Sequence, residues 1–415
     1  MSPLKISWKS IWSKPLSSSL NLILVAFGTS ILTILLLAST QINDKLSRNS
    51  KDIDLVVGAK GSPLQLILSS IYYIDFPTGN IPLKEANELA QNPWVKRAVP
   101  LALGDNYNGT RIVGTDSGFV NLYSLKVKAG KLWQQDFETN IGSAVAESQH
   151  LKVGDEFYGA HGLTGSTDIH KAHAYKVTGI LEPQGNVTDN LILTNISSVW
   201  KMHDPADEKE HDHHKKNDDH RAEEPGKKTE TPEIQDKEIT SLLIQYRSPM
   251  SVVMFPRMVN QSTNMQAASP AMESTRLFSL IGVGVDTLQW FALLIMAIAV
   301  ISVFVNLYNS LKERSYDLAI MRTLGASRSK LFLIVIAEGM MLTFAGTLTG
   351  ILLGHAGLQI IGHFQESSQA RLSGLLFLNS EIYLLAAGLA IGIFAAIIPA
   401  IQAYRSNISE ILSKS

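Results

Sequence analysis

Apolar positions along this chain follow two patterns. In four stretches they run on almost without interruption, at residues 20–42, 283–308, 331–361 and 382–404, and none of these carries Lys or Arg in its middle. Elsewhere they come singly or in short alternations among polar residues. A helix needs about 20 mostly apolar residues to cross the hydrocarbon core of a bilayer, so the pattern predicts four transmembrane helices, with residues 43–280 as a large domain between the first and second. The first stretch has features of a signal peptide, since Lys5, Lys9 and Lys14 precede it and Ala38-Ser39-Thr40 is small enough to be cut. Its apolar run exceeds the roughly 7–15 residues of a signal core, and we read it as a retained helix.

Cations beside the spans set the orientation, because Lys and Arg stay on the cytoplasmic side. Lys5, Lys9 and Lys14 precede the first span, Lys312, Arg314, Arg322, Arg328 and Lys330 fill residues 309–330, and Arg405 and Lys414 follow the fourth in the tail 405–415. With four spans these segments fall on one side. Both termini are then inside, 43–280 is outside, and 362–381 is a short outer loop. The expected location is a bacterial cytoplasmic (inner) membrane, crossed several times, with the large domain in the periplasm. Within residues 1–19, Leu4, Trp8, Ile11 and Trp12 recur at helical spacing beside Lys5 and Lys9. That predicts a helix lying in the inner interface among lipid headgroups; the alternative is an irregular charged leader.

Turn residues break the outer region into short elements. Helices are predicted at 64–73 and 83–90, strands at 97–103, 110–114, 143–146 and 176–181, and a turn and strand at 151–157. The fold class is membrane α-helical, four transmembrane helices with an α+β extracytoplasmic domain. Gly58 to Gly61 superficially suggests a phosphate loop but lacks the Lys-Ser/Thr pair, so a strand-to-helix turn is the better reading.

Composition removes several functions. The 415 residues are 45% apolar and 18% charged with a formal charge of -1, which fits neither a nucleic-acid binder nor a polyanion. Cysteine is absent, which excludes disulfides, thiolate zinc sites, cysteine nucleophiles and lipid attachment at cysteine. No GxxxxGK[ST], HExxH or GxSxG occurs. The chain is therefore expected to be no enzyme and to have no intrinsic cofactor.

Helices associate in lipid by close packing over small residues. Gly346, Gly350 and Gly354 are spaced by four on the third span, and Gly388 and Gly392 on the fourth. They mark contact stripes, either within the subunit or at a dimer seam. Glu338 lies roughly 12 Å beyond Lys330 along the helix, a depth at which a carboxylate is costly unless partnered. A proton relay would need further ionisable groups, and only His355 is near in sequence, so a structural partner is expected: a helix end or an Arg of residues 309–330.

In that segment Leu318, Met321 and Leu324 form a narrow apolar stripe, Gly325 is a helix stop, and Ser327 an N-cap for the next span. The run Glu313-Arg314, Asp317-Leu318-Ala319-Ile320-Met321-Arg322-Thr323-Leu324-Gly325-Ala326-Ser327, followed by Glu338, resembles the signature of the FtsX/MacB/LolC-type permease family. The ending Pro399-Ala400, Ala403-Tyr404-Arg405 and Ser409-Glu410-Ile411-Leu412 is similar to the family's ending too. The resemblance implies a coupling loop in which Glu313, Arg314, Asp317, Leu318, Met321, Arg322, Leu324 and Gly325 dock on an ABC ATPase subunit that holds ATP-Mg. It further implies a second permease copy, identical or not, a periplasmic or lipoprotein partner, and an outer domain whose inserted, mostly β part is placed at about 110–200.

The most individual feature is an acidic histidine tract. His203, His211, His213, His214 and His220 stand among Asp and Glu with Pro225 and Pro232, a composition that predicts disorder over about 203–237. Imidazole and carboxylate together suit zinc and similar ions, and these five histidines are the candidate metal ligands; the bland reading is a solvated linker. His150, His161, His170 and His173 form a second, looser group. Two functions compete: a permease linked to zinc, divalent-metal or lipoprotein handling in the envelope, and an FtsX-like transducer that activates an envelope hydrolase and moves no substrate. A stand-alone metal sensor is disfavoured by the coupling-loop signature.

Overall fold

The computed structural model describes residues 3–162, 173–203, 237–364 and 372–405. These form two compact units, one of residues 1–42 and 280–415 and one of residues 43–279.

The first unit is helical. A leader helix, Pro3–Ser13, precedes the first long helix, Pro15–Asn49; Pro15 stands at the first helical position, where its missing N–H costs nothing. The second long helix is Pro270–Glu313, the third Arg328–Phe364 and the fourth Glu381–Arg405, with a connecting helix, Ser315–Thr323, between the second and third. All four long helices are long and apolar enough to cross a membrane. At 1.5 Å per residue the first two extend about 53 and about 66 Å, against a hydrocarbon core of about 30 Å. Both run past the ends of the apolar stretches that predict them.

Glycine sets how closely these helices approach. A Cβ added at Gly346 would lie 2.8 Å from Val25, at Gly350 2.5 Å from the Ala26 carbonyl, and at Gly354 2.7 Å from Thr33. The third helix thus packs on the first through one glycine stripe. On the fourth helix, Gly388 and Gly392 leave no room for a Cβ against Thr347 and Thr343 of the third. Thr29 and Thr33 donate to carbonyls one turn back at 2.8 and 2.9 Å, so their hydroxyls are satisfied without water. Ser302 donates to Asn21 at 2.6 Å, a polar clip between the second helix and the first.

The second unit is built on a large mixed sheet. Its strands, among the described residues, are β1 (Leu55–Ala59), β2 (Ile81–Pro82), β3 (Val95–Tyr107), β4 (Thr110–Thr115), β5 (Val127–Gly130), β6 (Glu138–Ile141), β7 (Glu156–Phe157), β8 (Ala160–His161), β9 (Tyr175–Leu181), β10 (Ile192–Asn195), β11 (Glu238–Ile239), β12 (Ser241–Tyr246) and β13 (Met265–Ala268). The main path is β13-β1-β12-β3-β4-β10-β6-β9-β5, with β7 added on β9 and β8 on β3, while β11 and β2 form a separate pair. Pairs β4–β10 and β6–β9 are parallel and the other neighbours antiparallel.

Strand β3 joins the two halves of this sheet. From Val95 to Leu101 it pairs with β12, and from Ala102 to Tyr107 with β4. One half therefore comes from both flanks of the domain, β1 before and β12 and β13 after, and the other from residues 110–195. The β3–β4 register shifts between Leu103 and Asn106. Such an irregularity bends a strand and re-aims its side chains.

Several short elements differ from the expectations. Residues 143–146, read as a strand, are the start of helix Ser143–Ser148. Val145 is its buried apolar side chain, and the chain leaves β6 through Gly142, where a Cβ would lie 2.3 Å from the Thr188 and Asp189 carbonyl oxygens. The helix predicted at 64–73 ends at Ser70, beyond which Tyr73 takes a left-handed backbone with φ 55°. The expected disordered loop at 203–237 lies, after His203 and before Lys237, outside the described residues.

Candidate functional site

The connecting helix is held at both ends by local chemistry. Gly325 takes φ +95°, a left-handed conformation that ends the helix, and the Ser327 hydroxyl accepts from the Lys330 N–H at 3.3 Å to open the third long helix. Ala319 is buried, and Leu318 and Ala326 pack on a cluster of Leu331, Val335, Ala400 and Ala403. The apolar positions do not form a single stripe: Leu318 faces inward, while Leu324, following the last helical residue, is 82% exposed. Tyr316, Ile320 and Leu324, spaced by four, make an exposed apolar face 47%, 38% and 82% open. Asp317 and Glu313 are also exposed, and Met321 and Arg322 are half-buried.

A polar network fixes the leader helix beside this element. The Ser10 hydroxyl donates to the Glu338 carboxylate at 2.7 Å, and the Arg314 guanidinium donates to Ser10. Glu338 is 8% exposed, and its Arg partner acts through a leader-helix serine. Ser7 donates to the Ile334 carbonyl at 2.8 Å, and Lys14 forms an ion pair with Glu313. Ser7 and Ser10 are the buried face of the leader helix; Trp8 and Trp12, on the face expected to lie among headgroups, are 58% and 66% exposed. The serines carry no signal of their own in the sequence, since small polar residues on a short helix are usual.

His355, about 25 Å along the helix from Glu338, belongs to a different cluster. One ring nitrogen lies 2.6 Å from the Gly374 carbonyl and the other 3.1 Å from Glu381, and the ring stacks on Phe377. Gln41 of the first helix exchanges two 2.8 Å hydrogen bonds with Ser373 beside it. Glu338 and His355 therefore form no pair.

Of the candidate metal residues, His203 caps helix Ile196–Met202. It sits with His161 of the looser histidine group and with Asp105 of β3, which sequence reasoning missed because the three are 42 or more positions apart. His173 stacks on Phe137 at 4.6 Å. His170, His211, His213, His214 and His220 lie outside the described residues.

Residues 18–248 match the MacB-like periplasmic core domain and residues 290–408 the FtsX-like permease C-terminal domain. The chain belongs to the FtsX/MacB-type ABC transporter permease family. Members of this family work with an ABC ATPase partner. Among solved structures it is similar to the extracellular domain of the ABC-type transporter YknZ from Gram-positive bacteria, at 12% identity and TM-score 0.30 over 52% of this chain and 99% of that one. It is also similar to the periplasmic region of MacB from Actinobacillus actinomycetemcomitans, at 10% identity and TM-score 0.32 over 56% and 97%. A third is a domain of a permease protein from Porphyromonas gingivalis, at 14% identity and TM-score 0.27 over 53% and 88%. No curated protein matches the sequence.

Proposed function

We propose that this chain is the permease subunit of a mechanotransmission complex, coupling ATP hydrolysis on a separate ABC ATPase to movements of its periplasmic domain. The observation that carries the reading is the apolar face of Tyr316, Ile320 and Leu324 on a helix braced from behind by Leu318 and Ala319. Water is a poor covering for three large side chains in a row, and a groove on the ATPase is the partner the family provides. Rigid bracing matters as much as exposure. A push on the connecting helix passes into the second and third long helices, because Gly325 is the only glycine in residues 315–330.

Along the chain, Asn49 at the end of the first long helix lies six positions before Leu55, where β1 begins, and Ser269 alone separates the end of β13 from the start of the second long helix at Pro270. A second permease copy completes the assembly, as two ATPases closing on each other need two handles. In the envelope the complex handles zinc or another divalent metal, or a protein that carries it. The acidic histidine tract that begins at His203 supports that part of the reading.

A strain lacking this chain and a strain lacking its ATPase are expected to share one phenotype, a raised zinc requirement in chelator-treated medium. Normal growth under chelation in both strains would overturn the metal part. Division or shape defects in its place would put the chain with the transducers that activate a hydrolase.

A further inference from the structure

We propose that Asp105, His161 and His203 form a built binding site for one divalent transition cation of the zinc class, which takes the first histidine of the tract and none of His211, His213, His214 and His220. The proposal deepens the metal-handling reading above and rests on it for the choice of zinc. His161 Nδ1 and His203 Nε2 each lie 3.4 Å from Asp105 Oδ1, and the three ligand atoms all fall within 4.8 Å of one another. Ligands bound to zinc at about 2.0–2.1 Å in a tetrahedron stand about 3.3 Å apart. Two edges of the triangle already have that length. It is longer than the roughly 2.7–2.9 Å of a charge-assisted N–H···O bond, so a shared cation accounts for the spacing better than direct ion pairing does.

The surroundings orient each ligand. His203 Nδ1 lies 2.9 Å from the Val199 carbonyl. Donation there places the proton on Nδ1 and leaves the Nε2 lone pair facing Asp105, the usual outer-shell arrangement of a metal-bound histidine. Asn106 holds strand β8, which carries His161: its amide nitrogen lies 3.0 Å from the Ala160 carbonyl, 3.3 Å from that of His161 and 2.9 Å from that of Gly162. Asp105 reaches the site because β3 pairs there with β8, which puts Asp105 opposite His161, beside the point where β3 shifts register against β4.

Burial and charge agree with a cation. The Asp105 side chain is 1% exposed, and a carboxylate that deep calls for positive charge beside it. The two imidazoles are 39% and 35% exposed, which leaves a way in for an ion and a fourth position for water.

Zinc titration of the purified full-length chain in detergent tests this with three proteins. The variant with His211, His213, His214 and His220 replaced by serine is expected to keep one saturable Zn2+ equivalent. His161→Ala combined with His203→Ala on that background should lose it, with an unchanged melting temperature in chelator. Asn106→Ala should bind about 10–100-fold more weakly. Loss of all binding in the tract variant, or undiminished binding in the double variant, would overturn the site. Should the double variant not fold, Co2+ bound to the tract variant decides: an intense tetrahedral visible band supports the site, and its absence refutes it. One Zn2+ bound by a chain whose deletion leaves the zinc requirement normal would keep the site and discard the metal-handling function.

Discussion

Replacing Ile320 and Leu324 together by aspartate is expected to separate the permease from its ATPase while leaving the membrane unit folded. Both side chains are exposed in the chain alone, Leu324 by 82% and Ile320 by 38%, so neither contributes to the internal core. Full burial of such a side chain is worth about 1.5–3 kcal/mol. Scaled by the fraction each still exposes, the pair contributes roughly 2–4 kcal/mol, or about 30- to 700-fold in affinity at 1.4 kcal/mol per decade, before the cost of desolvating two carboxylates is added. Co-purification in mild detergent reads the effect directly. Leu318→Asp makes the contrasting case: that side chain packs on Leu331 and Val335, and the substitution should lower the melting temperature instead. A double variant that holds its ATPase as the parent does would show that this face is not the docking surface.

Gly350→Leu should be the most damaging single change inside the membrane. Its first added carbon would already lie 2.5 Å from the Ala26 carbonyl and 2.7 Å from the Thr29 Cβ. Backbone and a β-branched side chain cannot swing aside, so the first and third helices must separate. Overpacking a core typically costs about 1–3 kcal/mol, and a clash with backbone belongs at or above the top of that range. Thermal unfolding in detergent should show a large fall in midpoint. Gly284→Ala is the matched control, since nothing lies within 4 Å of a Cβ there; it should be neutral or stabilising by up to about 1 kcal/mol. Equal behaviour of the two variants would contradict the packing described for the first and third helices.

What could be read from the sequence was what composition and spacing encode locally. Twenty apolar residues in a row have few other uses, and the stop at Gly325 with the cap at Ser327 follows from the backbone preferences of those two residues. The apolar stripe of the connecting helix was less legible: Leu318 and Leu324 are alike in sequence, and only the neighbours supplied by the third and fourth helices decide that one is covered and the other open. Residues 143–146 mislead for a related reason. Ser-Ala-Val-Ala suits a strand or a helix, and the tight passage at Gly142 settles it through contacts with residues 188 and 189. Asp105 was illegible altogether. Nothing near it in the chain distinguishes it from other acidic residues, and its importance arises from the folding of β3 against β8 and the end of helix Ile196–Met202, which brings it to histidines 56 and 98 positions away.

The native chain lacks cysteine, so Leu324→Cys provides a single thiol at an 82% exposed position of the coupling element. Labelling it in intact cells and in inverted membrane vesicles with a membrane-impermeant maleimide, with and without the ATPase, tests the central claim most directly. The account predicts modification only from the cytoplasmic face and protection when the ATPase is bound. Modification from outside the intact cell, or equal labelling with and without the ATPase, would contradict it.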